Sequence, residues 1–76
     1  MNKFRIRLKE LRIEKKLSQK TLAEVLGTTN SSICDWECGR TEPSIEMIIK
    51  LSMYFEVSSD YLLGLEDESG GKSFIK

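Results

Sequence analysis

Apolar residues recur along this chain at helical spacing in five successive stretches. Phe4, Leu8 and Leu11 stand at i, i+4 and i+7 among Lys, Arg and Glu, which predicts a first helix over residues 3–16. Ile6 and Ile13 fall off that stripe and are expected at its edges. Lys15 and Lys16 close the helix, where cations suit the negative end of its dipole. Leu22, Ala23 and Leu26 predict a second helix over 18–26, capped by Ser18 and ended by Gly27. Ile33, Trp36 and the stem of Glu37 predict a third over 29–38, with Thr29 as its cap and Gly39 as its stop. Ser44 caps a fourth, whose core stripe is Ile45, Ile48, Leu51, Ser52 and Phe55; Met47, Ile49 and Met53 are further apolar positions for core, surface or an interface. Residues 57–64 form a short fifth helix, with Ser58 as cap, Asp60 in the first turn and Gly64 at the end.

The second and third helices are joined by a short turn containing Gly27, which makes a helix-turn-helix. On the third helix, Asn30, Ser31, Cys34, Asp35 and Cys38 lie away from the Ile33/Trp36 stripe. They are short, and three of them hydrogen-bond well. A helix that enters the DNA major groove needs such a face, although an ordinary solvated face has the same look. The second helix opens on free backbone N–H groups and a positive dipole end, suited to a phosphate, with Gln19 and Lys20 beside it.

Leu17-Ser18-Gln19, Leu22-Ala23, Leu26-Gly27, Ile33, Trp36-Glu37, Gly39-Arg40, Pro43-Ser44 and the run from Val57 to Gly64 resemble, in order and spacing, the Cro/C1-type (XRE, lambda-repressor-like) DNA-binding domain. The resemblance runs from about Phe4 to Leu65. It implies an all-α, five-helix domain over residues 1–65. It also implies a transcriptional regulator, a repressor by preference, that binds a pseudo-palindromic operator as a homodimer with half-sites ~34 Å or more apart. It places Asn30, Ser31, Ser32 and Asp35 at base edges, and Gln19, Lys20, Thr29 and Arg40 at phosphates. It pairs Arg12 with Glu37, tying the first helix to the third, and offers Leu63 and Leu65 as dimer contacts. Asp35 departs from expectation, because a carboxylate near phosphates is repelled unless it finds a donor. No Arg on the third helix grips guanine, so base readout per half-site is expected to be modest.

Charge changes the picture through its distribution. The net charge is zero, which argues against a simple basic clamp. Residues 1–20 carry eight Lys and Arg against two acids, a balance of +6; the rest carry four against ten, a balance of −6. The basic part can face phosphates while the acidic part serves partners or solubility. With 76 residues, one domain with a small core is expected.

The two cysteines, without a histidine, cannot complete a structural zinc site, so neither metal nor cofactor is expected. No apolar run is long enough for a membrane span and no signal peptide opens the chain, so a cytoplasmic location is expected, with reduced thiols. No nucleophile–base arrangement or phosphate loop supports an enzyme. The competing reading is an antitoxin or phage and mobile-element regulator that acts partly through a protein partner, such as a toxin or polymerase. Residues 66–76, acidic then glycine-rich, read as a flexible tail whose Phe74-Ile75 pair would make that contact. No effector or protease-like domain is expected after it.

Overall fold

The structure, a computed structural model, describes residues 3–65. Five helices follow one another: α1 (Phe4–Glu14), α2 (Gln19–Leu26), α3 (Asn30–Cys38), α4 (Ile45–Phe55) and α5 (Ser59–Leu63). Four of them start on the hydroxyl residues that the sequence marks as caps. Ser18, Thr29, Ser44 and Ser58 each accept the backbone N–H three residues on. This satisfies a donor that the first helical turn leaves without an intrahelical partner.

The turn between α2 and α3 depends on Gly27. Its φ of +74° is left-handed, and its N–H turns back to the last carbonyls of α2. Thr28 N then donates to the Ala23 carbonyl at 2.9 Å, completing the reversal. Lys50, from α4, covers the adjoining Leu26 carbonyl with its ammonium at 3.4 Å. The helix-turn-helix is thus closed by backbone geometry and one side chain from outside it.

The core is built from Phe4 and Leu8 of α1, Leu22, Ala23 and Leu26 of α2, Ile33 and Trp36 of α3, Leu51 and Phe55 of α4, and Leu62 of α5. Leu11, Leu17, Met47 and Ile48 pack around it, half-buried. The inner faces of α2 and α3 agree with the sequence pattern residue for residue. Three other expectations do not hold. The first helix ends at Glu14 rather than at residue 16, because Lys16 takes a left-handed φ of 58° and turns the chain toward α2. Ile6 and Ile13 are exposed rather than packed at the edge of the stripe. Ile45, assigned to the core stripe of α4, is 81% exposed. It occupies the first position of its helix, beyond the reach of the core that Ile48 and Leu51 join one turn later.

The fourth helix stops without a glycine. Glu56 itself adopts φ 56°, ψ 45°, and Val57 N donates to the Ser52 carbonyl across it. A side chain in this region costs about 1–2 kcal/mol, and glycine loses about 0.5–1 kcal/mol through its freer unfolded chain. Glu56→Gly is therefore expected to raise stability by up to about 1 kcal/mol. Urea denaturation checks this, and a clear loss would show that Glu56 makes a compensating contact.

Candidate nucleic-acid interface

Position on α3 separates structural from functional side chains. Ile33, Trp36 and Glu37 are buried; Asn30, Ser31 and Cys38 are exposed; Ser32, Cys34 and Asp35 are intermediate. At about 100° per residue, Ser31, Asp35 and Cys38 lie most nearly opposite the Ile33/Trp36/Glu37 stripe, with Cys34 and Asn30 on one flank. Ser32 is turned to the side. Its hydroxyl accepts from Thr29 Oγ1 at 3.0 Å, and its N–H donates to the same atom at 3.1 Å. The Thr29 hydroxyl is thereby committed to the cap, with one lone pair left for an incoming group.

The inward face holds a largely buried ion pair. Arg12 meets Glu37 side-on: Nε donates to Oε2 at 2.6 Å and Nη2 to Oε1 at 3.0 Å. Their side chains are only 12% and 4% exposed. Arg12 Nη1 also donates to the Leu17 carbonyl at 2.8 Å, and Gln19 Nε2 donates to Glu37 Oε1 at 3.1 Å. Glu37 thus joins α1, the α1–α2 loop and the start of α2 to α3. The bond to the carboxylate raises the pKa of Arg12 further above its ordinary value, against the opposing effect of burial. No buried side-chain nitrogen or oxygen among the described residues lacks a partner.

The other expected phosphate contacts are distributed unevenly. Lys20 is exposed in the first turn of α2. Gln19, by contrast, spends one amide N–H on Glu37, which makes it a brace for α3 and leaves its second N–H and its carbonyl oxygen to spare. Arg40 lies just past α3, and its Nε stands 3.3 Å from Asp35 Oδ1. Arg40 thus supplies Asp35 with a donor. The guanidinium pKa is raised, first by a hydrogen bond with Cys38 and then by Asp35. The Cys34 thiol is pushed up in turn, chiefly by its hydrogen bond with Cys38.

Sequence reasoning missed Arg7. It counts in the basic segment, yet it is buried, donates to the Tyr61 carbonyl, and lies 4.1 Å from the centre of the Tyr61 ring. It fastens α5 to α1. Its register contains the signal, since it stands three residues after Phe4 and four before Leu11. Leu63 and Leu65, the candidate dimer contacts, are each 40% exposed. Leu63 borders an apolar cavity of about 420 Å³ together with Phe4, Pro43, Ile45, Ile48 and Ile49. Phe74 and Ile75 lie outside the described residues.

Fold and outward face together define a small helical domain that holds one helix rigidly from behind and presents its short polar side to the outside. The helix-turn-helix family matches residues 8–62, and the chain belongs to that family, in its Cro/C1-type branch. It is 39% identical over 71 residues to the uncharacterized HTH-type transcriptional regulator YqaE of Bacillus subtilis, covering 93% of this chain and 60% of that protein. The fold is similar to that of a transcriptional regulator from Listeria innocua, with TM-score 0.82 and 32% identity over 90% of this chain and 64% of the other. It is similar also to the P22 c2 repressor of Salmonella phage P22, solved with a synthetic operator, with TM-score 0.75 and 35% identity over 79% of this chain and 91% of the other. The chain spans about half to three fifths of the length of the curated relatives it matches first. Among the described residues, no helix is long and apolar enough to cross a membrane.

Proposed function

We propose that this chain is a sequence-specific double-stranded-DNA-binding transcriptional regulator, a repressor that docks α3 in the major groove. The observation that carries the reading is the two-sided α3. Its inner face is anchored by Ile33, Trp36 and the Arg12–Glu37 pair, while Asn30 and Ser31 stand exposed at its N-terminal end. Recognition helices of this class contact base edges with their N-terminal residues. The operator complex of the similar P22 c2 repressor supports the same partner.

In this reading Asn30 and Ser31 hydrogen-bond to base edges, with Asp35 positioned by Arg40 to accept from a base amino group. Ser32 acts mainly through the cap. Lys20, Thr29 and Arg40 reach phosphates at the N-terminus of α2 and the two ends of α3, and Gln19 braces α3 with one amide N–H while its second can donate to a phosphate. Two copies meet through Leu63, Leu65 and the apolar surface beside them, and read a two-fold symmetric operator. The location is cytoplasmic, no catalytic step is involved, and a protein partner is not needed for the DNA contact.

Fluorescence anisotropy on a labelled operator duplex over a series of salt concentrations tests the phosphate half of this account. The logarithm of the affinity is expected to fall linearly with the logarithm of salt. Lys20→Ala should reduce the slope by about 1 per protomer, while weakening all sequences alike. Affinity independent of salt would sink the DNA reading, and an unchanged slope in the variant would remove Lys20 from the contact.

A further inference from the structure

The outward side of α4 carries three large apolar side chains in one row. Ile45, Ile49 and Met53 stand at i, i+4 and i+8 and are 81%, 50% and 73% exposed, while Leu51 and Phe55 turn the opposite side of the helix into the core. No other helix among the described residues exposes three. Apolar side chains scattered singly over a surface need no explanation, but a contiguous row marks a contact surface. On one flank of the row, Ile45 and Ile49 border the apolar cavity together with Ile48 and Leu63. At about 100° per residue, Glu46 and Lys50 fall on the other flank, away from Ile48. Both are exposed. Among the described residues Glu46 has no ion-pair partner. Lys50 gives one of its ammonium donors to the Leu26 carbonyl and keeps the others.

The order of charges on that flank selects the occupant. An acid followed by a base one turn later is its own complement when reversed. A second copy of α4, running antiparallel, sets base against acid and acid against base. A two-fold axis beside Ile49 does this. Ile49 then meets its equivalent at the centre, Ile45 lies against Met53 of the second copy, and Glu46 reaches Lys50 of the second copy. Each contact occurs twice, as an isologous interface requires. The row itself has the spacing for it, since i, i+4, i+8 ridges interdigitate in the commonest class of helix crossing. A flank of one charge sign would have selected a partner of the opposite sign instead.

We propose that the row of Ile45, Ile49 and Met53 is a homodimer interface, in which α4 packs antiparallel on α4 of a second copy and Glu46 of each chain pairs with Lys50 of the other. This rests on the self-association put forward above and places its centre on α4, with Leu63 at the edge. The apolar row supplies the burial. The two ion pairs at the rim fix direction and register more than they add affinity.

Sedimentation velocity of the full chain without DNA, over a range of concentrations, is the test. A monomer–dimer equilibrium is expected. Ile49→Asp sets two carboxylates together at the axis and should weaken the dimer on the order of a hundredfold. Met53→Lys should weaken it too, and decides if Ile49→Asp does not fold. Both positions are exposed, so circular dichroism should show the helices kept. Glu46→Lys and Lys50→Glu, each alone, set like charges together at both symmetry-related contacts and should weaken the dimer about tenfold. Mixed in equal amounts, these two variants should associate as tightly as the wild type, because every Lys then meets a Glu. A pair within one helix could not produce that rescue. A chain that stays monomeric at every concentration overturns both the interface and the self-association reading, and leaves the row to a partner of another kind. A dimer lost in Leu63→Asp but kept in Ile49→Asp and Met53→Lys overturns the α4 interface while that reading stands. Loss in Ile49→Asp with no rescue on mixing overturns the antiparallel arrangement.

Discussion

Glu37→Ala is expected to leave the domain largely unfolded at 25 °C. The substitution removes both acceptors from a side-on arginine contact and leaves the Arg12 guanidinium, 12% exposed, without its carboxylate. It also frees the Gln19 amide that braces α2. Breaking a buried pair on one side costs roughly 3–5 kcal/mol. A core of this size rarely supplies more than about 3–5 kcal/mol in total, so the loss is comparable to the whole stability. Replacing both partners, as in Arg12→Met/Glu37→Leu, removes the stranded charge and should recover most of it. The single tryptophan, Trp36, adjoins Glu37 and reports unfolding by its fluorescence in urea. A loss below about 1 kcal/mol for Glu37→Ala would mean that the pair behaves like an exposed one, and that α3 is held by packing alone.

Trp36→Ala has the other large expected effect. Trp36 is buried on the inner face of α3, one turn from Ile33, among residues contributed by all five helices. Truncating a buried Trp costs about 3–5 kcal/mol, because the transfer energy of the ring is lost and the cavity closes only in part. In a domain of 60–100 residues each kcal/mol lowers Tm by about 4–8 °C, so melting followed by circular dichroism should shift by more than about 12 °C. A shift of only a few degrees would show that α3 settles inward to fill the space. The outward face would then move with it, and DNA affinity should drop in the protein that remains folded.

What was legible in the sequence follows from how local each cause is. Ser18, Thr29, Ser44 and Ser58 mark helix starts through a bond to a backbone N–H three residues away, so the sequence alone identifies them. Gly27, Gly39 and Gly64 mark three ends for the same reason. Glu56 ends α4 in a left-handed conformation that its residue type does not announce, and Lys16 does the same after α1. The exposure of Ile45 is illegible for a different reason. Periodicity gives a face and not how far the core extends along it, and Ile45 stands one turn beyond that limit. Arg7 was hidden by its charge, since its register is apolar and its partners, the Tyr61 ring and carbonyl, lie 54 residues away.

For the site, the sequence identified the outward face of α3 but not the commitments of its side chains. Ser32 bonds to Thr29, Gln19 bonds to Glu37, and Asp35 pairs with Arg40. Each is a contact between residues whose types were visible and whose separation in space was not. These commitments leave Asn30 and Ser31 as the exposed polar side chains at the entering end of α3. The specificity proposed for this protein therefore rests on them.

Selection of bound duplexes from a random library at moderate salt, with an Asn30→Ala/Ser31→Ala double variant alongside, tests this most directly. Enrichment of a two-fold symmetric motif by the wild type, lost or altered in a variant that still folds, is the predicted result. Binding without enrichment of any sequence, removed by salt, would contradict it and would mean that only the basic segment engages phosphates.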